Sequence, residues 1–172
     1  MSDVARLATE CADLLEGARE LVLELDVETF AGPGPAGGAS VGAHLRHCLE
    51  AFESLLAGLP RGAVDYDTRR RDARAEREPF AALERIEALR AALLEEIAAA
   101  ADGPLGVRAD EPDLPPEAGF VASSLARELR AVASHTVHHF AVVALQLRVA
   151  GVAVDARFGV AKSTWSHWQR GR

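Results

Sequence analysis

The sequence predicts an all-α fold: a four-helix bundle with long crossover connections and a short C-terminal extension. Three observations predict it. Four segments carry apolar residues at three- and four-residue spacings, Pro- and Gly-rich stretches separate them, and no strand-rich region, internal repeat or Gly-rich phosphate loop lies between. At 172 residues, with 49% hydrophobic and 26% charged residues, the chain is expected to form a single domain over residues 1–172.

The first helix is expected from Ser2 to Val27, because Val4, Leu7, Cys11, Leu14, Ala18, Leu21 and Leu25 share one broad face. The stretch AGPGPAGGA at 31–39 cannot continue a helix and reads as a linker within the domain. Ser40 then caps a second helix, whose Val41, Leu45, Cys48, Phe52 and Leu55 form a stripe before Gly58 and Pro60 end it. A polar connection follows, with the basic run RRRDAR at 69–74 reading as a solvated loop or as an anion-recognition segment. Pro79 to Ala101 is rich in strong helix formers and predicts the third helix. Residues 102–119, with Pro104, Pro112, Pro115 and Pro116, read as a second long connection. Ser123 or Ser124 starts the fourth helix, which runs to Val149 on a stripe of Leu125, Leu129, Val132, Thr136, Phe140 and Val143. In the tail, Ser163 or Thr164 is expected to cap a short last helix that packs Trp165 and Trp168 on the bundle.

The formal charge of −7 repels a phosphate backbone, so nucleic acid is not an expected partner. Cys11 and Cys48 form no CxxC pair and are too few for a disulfide scaffold. They read as small apolar core residues in a reducing cytoplasm. The N-terminus lacks a basic start followed by an apolar stretch, and no apolar run approaches the ~18 residues of a membrane span. A soluble, unexported protein with no membrane partner is expected; a homodimer is compatible with the sequence.

Five of the six histidines fall in two short segments, SVGAHLRHC at 40–48 and SHTVHHF at 134–140. His135 and His139 project from one helical face about a turn apart, a chelating spacing. His138 is rotated from His139 by roughly 100° and reads as a second-shell or surface residue. Two imidazoles leave a divalent ion undersaturated, and a facing helix would supply a third: the second helix offers His44 and His47. The alternative is that these histidines are ordinary core or rim residues. Ser134 and Ser163 lack the surroundings of an activated nucleophile, and Cys48 at an apolar position reads as an inert thiol.

Ser40 followed after six residues by His47, then RELRAVASHTVHHFAVVALQLRVAG far downstream, resembles the DinB-like superfamily of metal-binding four-helix bundles in bacteria, and DYDTRRRD and FGVAKSTW resemble its less studied branches. The resemblance implies a divalent metal (zinc, nickel or iron) held by His47, His135 and His139. His44, which lies nearer the apolar stripe, is the alternative ligand or a second-shell partner. Glu128, two turns before His135 on the same face, either orients that ring or is solvated. Links of that superfamily to low-molecular-weight thiols imply a metal-dependent thiol transferase or hydrolase acting on a small molecule, with Arg69, Arg70 and Arg71 placed to attract an anionic cofactor. The competing expectations are a non-catalytic metal- or ligand-binding stress-response protein and a bundle whose histidines hold no metal.

Overall fold

A computed structural model describes residues 2–68, 72–109, 113–115 and 117–170. Helix α1 spans Asp3–Glu24, started by the Ser2 hydroxyl, which accepts a hydrogen bond from the Ala5 amide. It ends short of the expected Val27. Leu25 turns extended and the Asp26 carboxylate caps a separate short helix α2, Val27–Ala31, by accepting from the Thr29 amide at 2.8 Å. The turn lets Phe30 bury completely, which a continuous helix along the α1 stripe would not allow. The Pro- and Gly-rich linker holds only one 3-10 turn, Pro35–Gly37, before Ser40 caps α3, Val41–Gly58.

The third expected helix divides similarly. Helix α5 covers Pro79–Ala92 and passes into a π-helical turn at Leu93–Ile97, which buries Leu93 and Ile97; residues 98–101 are not helical. A short helix α4, Ala73–Arg77, precedes it. Helix α6 runs Leu125–Val149 with Ser124 as its cap, and Asp102 accepts from the Ala126 amide at 2.9 Å. Helix α7, Lys162–Arg170, begins before Ser163, so neither Ser163 nor Thr164 caps it. Lys162 ties it to Glu10 of α1, while Trp168 stays 49% exposed and meets Trp165 edge-on instead of packing inward.

The expectation of an all-α fold needs correcting: the structure is mostly helical but carries a small three-stranded sheet. Strand β1, Ala63–Asp65, pairs in parallel with β2, Pro104–Arg108, which pairs antiparallel with β3, Val121–Ser124. The intervening α4 and α5 supply the crossover that a parallel pair requires. The strands hold three to five residues each, too few for a period-two pattern to stand out, and the pairing that stabilises them is non-local. Val64, Leu105 and Val107 turn inward from them.

Among the long helices, α1 packs against α5 and α6, and α3 also packs against α5 and α6. One cluster fills the space between them, including Leu15, Leu45, Phe52, Ile86, Leu129 and Phe140. Strand β1 lies against α3 and β3 leads directly into α6, so the sheet stands beside the α3–α6 contact. After α6 the chain folds back: Phe158 stacks on Phe140 with ring centroids 4.7 Å apart, and Gly159, at φ 74°, passes so close to α6 that a Cβ there would lie 2.4 Å from the Ala141 nitrogen. No helix among the described residues is long and apolar enough to cross a membrane.

Candidate metal centre

Both histidine segments lie on helices that face each other. His44 and His47 stand about one turn apart on α3, and His135, His138 and His139 stand on α6. His47 and His135 meet through their Nε2 atoms at 2.9 Å, and the His139 ring lies 4.7 Å from His47 and 4.6 Å from His135, centroid to centroid. One nitrogen from each of the three rings lies within 4.8 Å of the other two, a group that could hold a metal ion. All three side chains are half-buried, within reach of solvent without being surrounded by it.

The remaining candidates are placed around this group. His138 is exposed, its ring 5.4 Å from that of His139 and turned away from the His135–His139 face by the rotation between adjacent helical positions. His44 adjoins the cluster through His139, Nδ1 to Nδ1 at 3.0 Å, and Gln146 approaches its other nitrogen at 3.3 Å. Burial and the neighbouring imidazoles of His135, His47, His44 and His138 hold the pKa of His139 down to about 4. Burial, helped by the nearby His138, lowers that of His44 too. Both rings are therefore neutral at pH 7 and carry a lone pair, the form in which imidazole binds a cation.

A cavity of about 730 Å³ opens beside the cluster, with His47 and His135 in its wall. Ala51, Val107 and Val132 make it apolar; Tyr66, Asp67 and Glu128 make it polar at one side. Glu128 is 3% exposed, so its carboxylate needs donors. It accepts hydrogen bonds from the Tyr66 hydroxyl at 3.2 Å and from the Ser123 hydroxyl, and the Arg127 guanidinium stands 3.5 Å away. Burial, and then the charge of Glu128, raises the Tyr66 pKa well above its usual value. Glu128 is thus a buried wall residue, not the solvated glutamate of the alternative expectation, and Ser123 serves it where Ser124 serves the helix. Buried Arg108 braces the same wall, pairing with Asp67 at 3.4 Å and donating to the carbonyls of Leu114 and Pro115.

Sequence reasoning singled out the three clustered histidines and missed Tyr66 and Gln146. Tyr66 is the chain's one tyrosine and lies in the DYDTRRRD segment, a signal that was available; Gln146 gives none. Arg69, Arg70 and Arg71, expected to attract an anionic cofactor, lie outside the described residues. Cys11 and Cys48 are free and buried, and burial pushes both thiols up to about 12, which suits inert core positions. Ser134 and Ser163 are exposed.

The donor set fits a borderline transition metal. Three imidazole nitrogens without a charged oxygen would suit zinc, nickel or iron better than magnesium or calcium, and three protein ligands would leave coordination positions open. No curated protein and no solved structure matches the chain. A family model described as the DinB superfamily matches residues 13–143, a span that contains all three clustered histidines.

Proposed function

The chain belongs to the DinB superfamily, and on that premise we propose that it is a metal-dependent protein acting on a small molecule, with His47, His135 and His139 holding one zinc, nickel or iron ion. The observation that carries this reading is the convergence of one ring nitrogen from each of the three histidines to within 4.8 Å, beside a cavity two of them line. We read α1, α3, α5 and α6 as the four helices of a bundle forming one domain, and its buried free thiols suit a reducing cytoplasm.

A divalent ion bound there would supply a positive charge that acidifies an O–H or S–H group brought beside it. The residues of the chain do the rest. Ala51, Val107 and Val132 exclude water from one side of a ligand in the cavity, and Arg127 and Arg130, both more than half exposed, offer charge to an anionic group. His47 and His135 bring the reacting end of the ligand to the cluster because their rings form part of the same wall. Transfer of a small thiol onto an electrophile, or a related hydrolysis, is the reaction class this reading carries; a low-molecular-weight thiol is the co-substrate it implies.

A second reading, a non-catalytic metal- or ligand-binding protein, is favoured by one observation. Both Glu128 oxygens already take hydrogen bonds from Tyr66 and Ser123, which suits a fixed wall better than a proton-transferring base.

Metal analysis of protein purified without a histidine tag tests the shared part of both. A single divalent ion per chain is expected, and His135→Ala is expected to abolish stoichiometric binding with the helical signal retained. Unchanged metal content in that variant overturns the assignment. Faster consumption of an electrophile with added bacterial thiols than with His139→Ala separates the enzyme from the binding protein.

A further inference from the structure

Behind His139 runs a chain of hydrogen bonds whose direction is fixed at its far end. The Gln146 amide NH2 donates to the Ala39 carbonyl at 3.1 Å and lies 3.3 Å from His44 Nε2. Because the Ala39 oxygen can only accept, the amide presents its nitrogen, and the His44 nitrogen beside it must accept as well. A neutral His44 accepting at Nε2 carries its proton on Nδ1, and that atom faces His139 Nδ1 at 3.0 Å. His139 therefore accepts at Nδ1 and carries its own proton on Nε2. In this arrangement His139 has no free lone pair: one nitrogen is spent on His44 and the other is protonated.

We propose that Gln146 is a positioning residue that gates the centre through the Gln146–His44–His139 chain: with its NH2 toward His44 it keeps His139 from ligating, and turning its Oε1 there opens Nε2 of His139 to a cation. The inference rests on His139 being a metal ligand. Reversing the chain changes no protonation count: His139 Nδ1–H donates to His44 Nδ1, and His44 Nε2–H donates to the amide oxygen. That oxygen is free to take the role, since Gln146 Oε1 is buried with no hydrogen-bond partner among the described residues. The linker holds the closed setting. Ala39 anchors the NH2, and Gly34 leaves room for it, because a Cβ at Gly34 would lie 2.8 Å from Gln146 Nε2. The Pro- and Gly-rich stretch thereby reaches a candidate ligand through two side chains.

Gln146→Glu tests this, because a carboxylate only accepts and so holds the chain in the open direction. Zinc and cobalt affinities are measured for wild type, Gln146→Glu and Gln146→Met, with helical signal and melting as folding controls, and imidazole 15N shifts report the tautomers of the metal-free proteins. The expected result is at least about tenfold tighter metal binding by Gln146→Glu, the scale on which partners of metal-bound imidazoles act, with Gln146→Met in between. Metal-free wild type should carry His44 protons on Nδ1 and His139 protons on Nε2, and Gln146→Glu should reverse both. If wild type binds metal and Gln146→Glu binds no tighter, or if the wild-type tautomers are already reversed, the gate is refuted and the metal centre stands. If none of the three proteins binds metal, the metal reading fails and the gate with it.

Discussion

His139 concentrates the electrostatic cost of gathering five imidazoles on two facing helices. Its pKa lies near 4 in the folded chain against 6.5 for an unperturbed imidazole, chiefly through burial and then through its neighbours. A histidine whose folded-state pKa is depressed takes up its proton first in the unfolded chain, so it leaves stability untouched above about 6.5 and erodes it as pH falls toward 4. Chelator-treated protein should therefore lose urea resistance between pH 7 and pH 4.5, and His139→Gln should lose less over the same interval; parallel losses in the two proteins would contradict the assignment. At this scale the site was half legible. The i, i+4 pair and His47 stand out because helical periodicity converts spacing directly into a shared face. Gln146 does not, because it is defined by whom it meets, His44 across 102 positions, and Tyr66 carries a signal only as the lone tyrosine, its tie to Glu128 across 62 positions being invisible in the sequence.

Secondary-structure elements were legible in proportion to their length. The stripes of α1, α3 and α6 repeat over several turns, α5 shows through its run of strong helix formers, and Ser40 and Ser124 start their helices as expected where Ser163 and Thr164 do not. The misreadings lie where a local rule met a tertiary demand: α1 breaks at Leu25 so that Phe30 can bury, and α5 widens into a π turn that buries Leu93 and Ile97. The strands escaped because three to five residues carry almost no period and Pro104 and Gly106 argue against a strand taken alone. Past α6, the return of the tail hangs on one close approach. Gly159 combines a left-handed φ with a backbone contact no Cβ could make, so Gly159→Ala should cost about 2 kcal/mol and lower Tm by several degrees. An unchanged melting curve would mean that the tail docks without that crossing.

Taken as a whole the molecule is acidic, with a formal charge of −7. Duplex DNA should accordingly bind no more tightly than the micromolar range at physiological salt, measured by anisotropy across a salt series; a tight complex with a steep salt slope would refute this. The order of packing carries a different consequence, for biosynthesis. Helix α1 leaves the ribosome before its partners α5 and α6, and α6 is also a partner of α3 and the bearer of His135 and His139. Until translation has passed Val149, a nascent chain displays the apolar faces of α1 and α3 and possesses only the His47 side of the centre. A chain stalled earlier can neither close its core nor trap an ion between α3 and α6, so it stays sticky and exposed to chaperones and proteases. Completion of α6 supplies the missing core wall and the missing imidazoles together, so on the proposed reading metal capture would be a late event, open only to chains that have been synthesised through that helix.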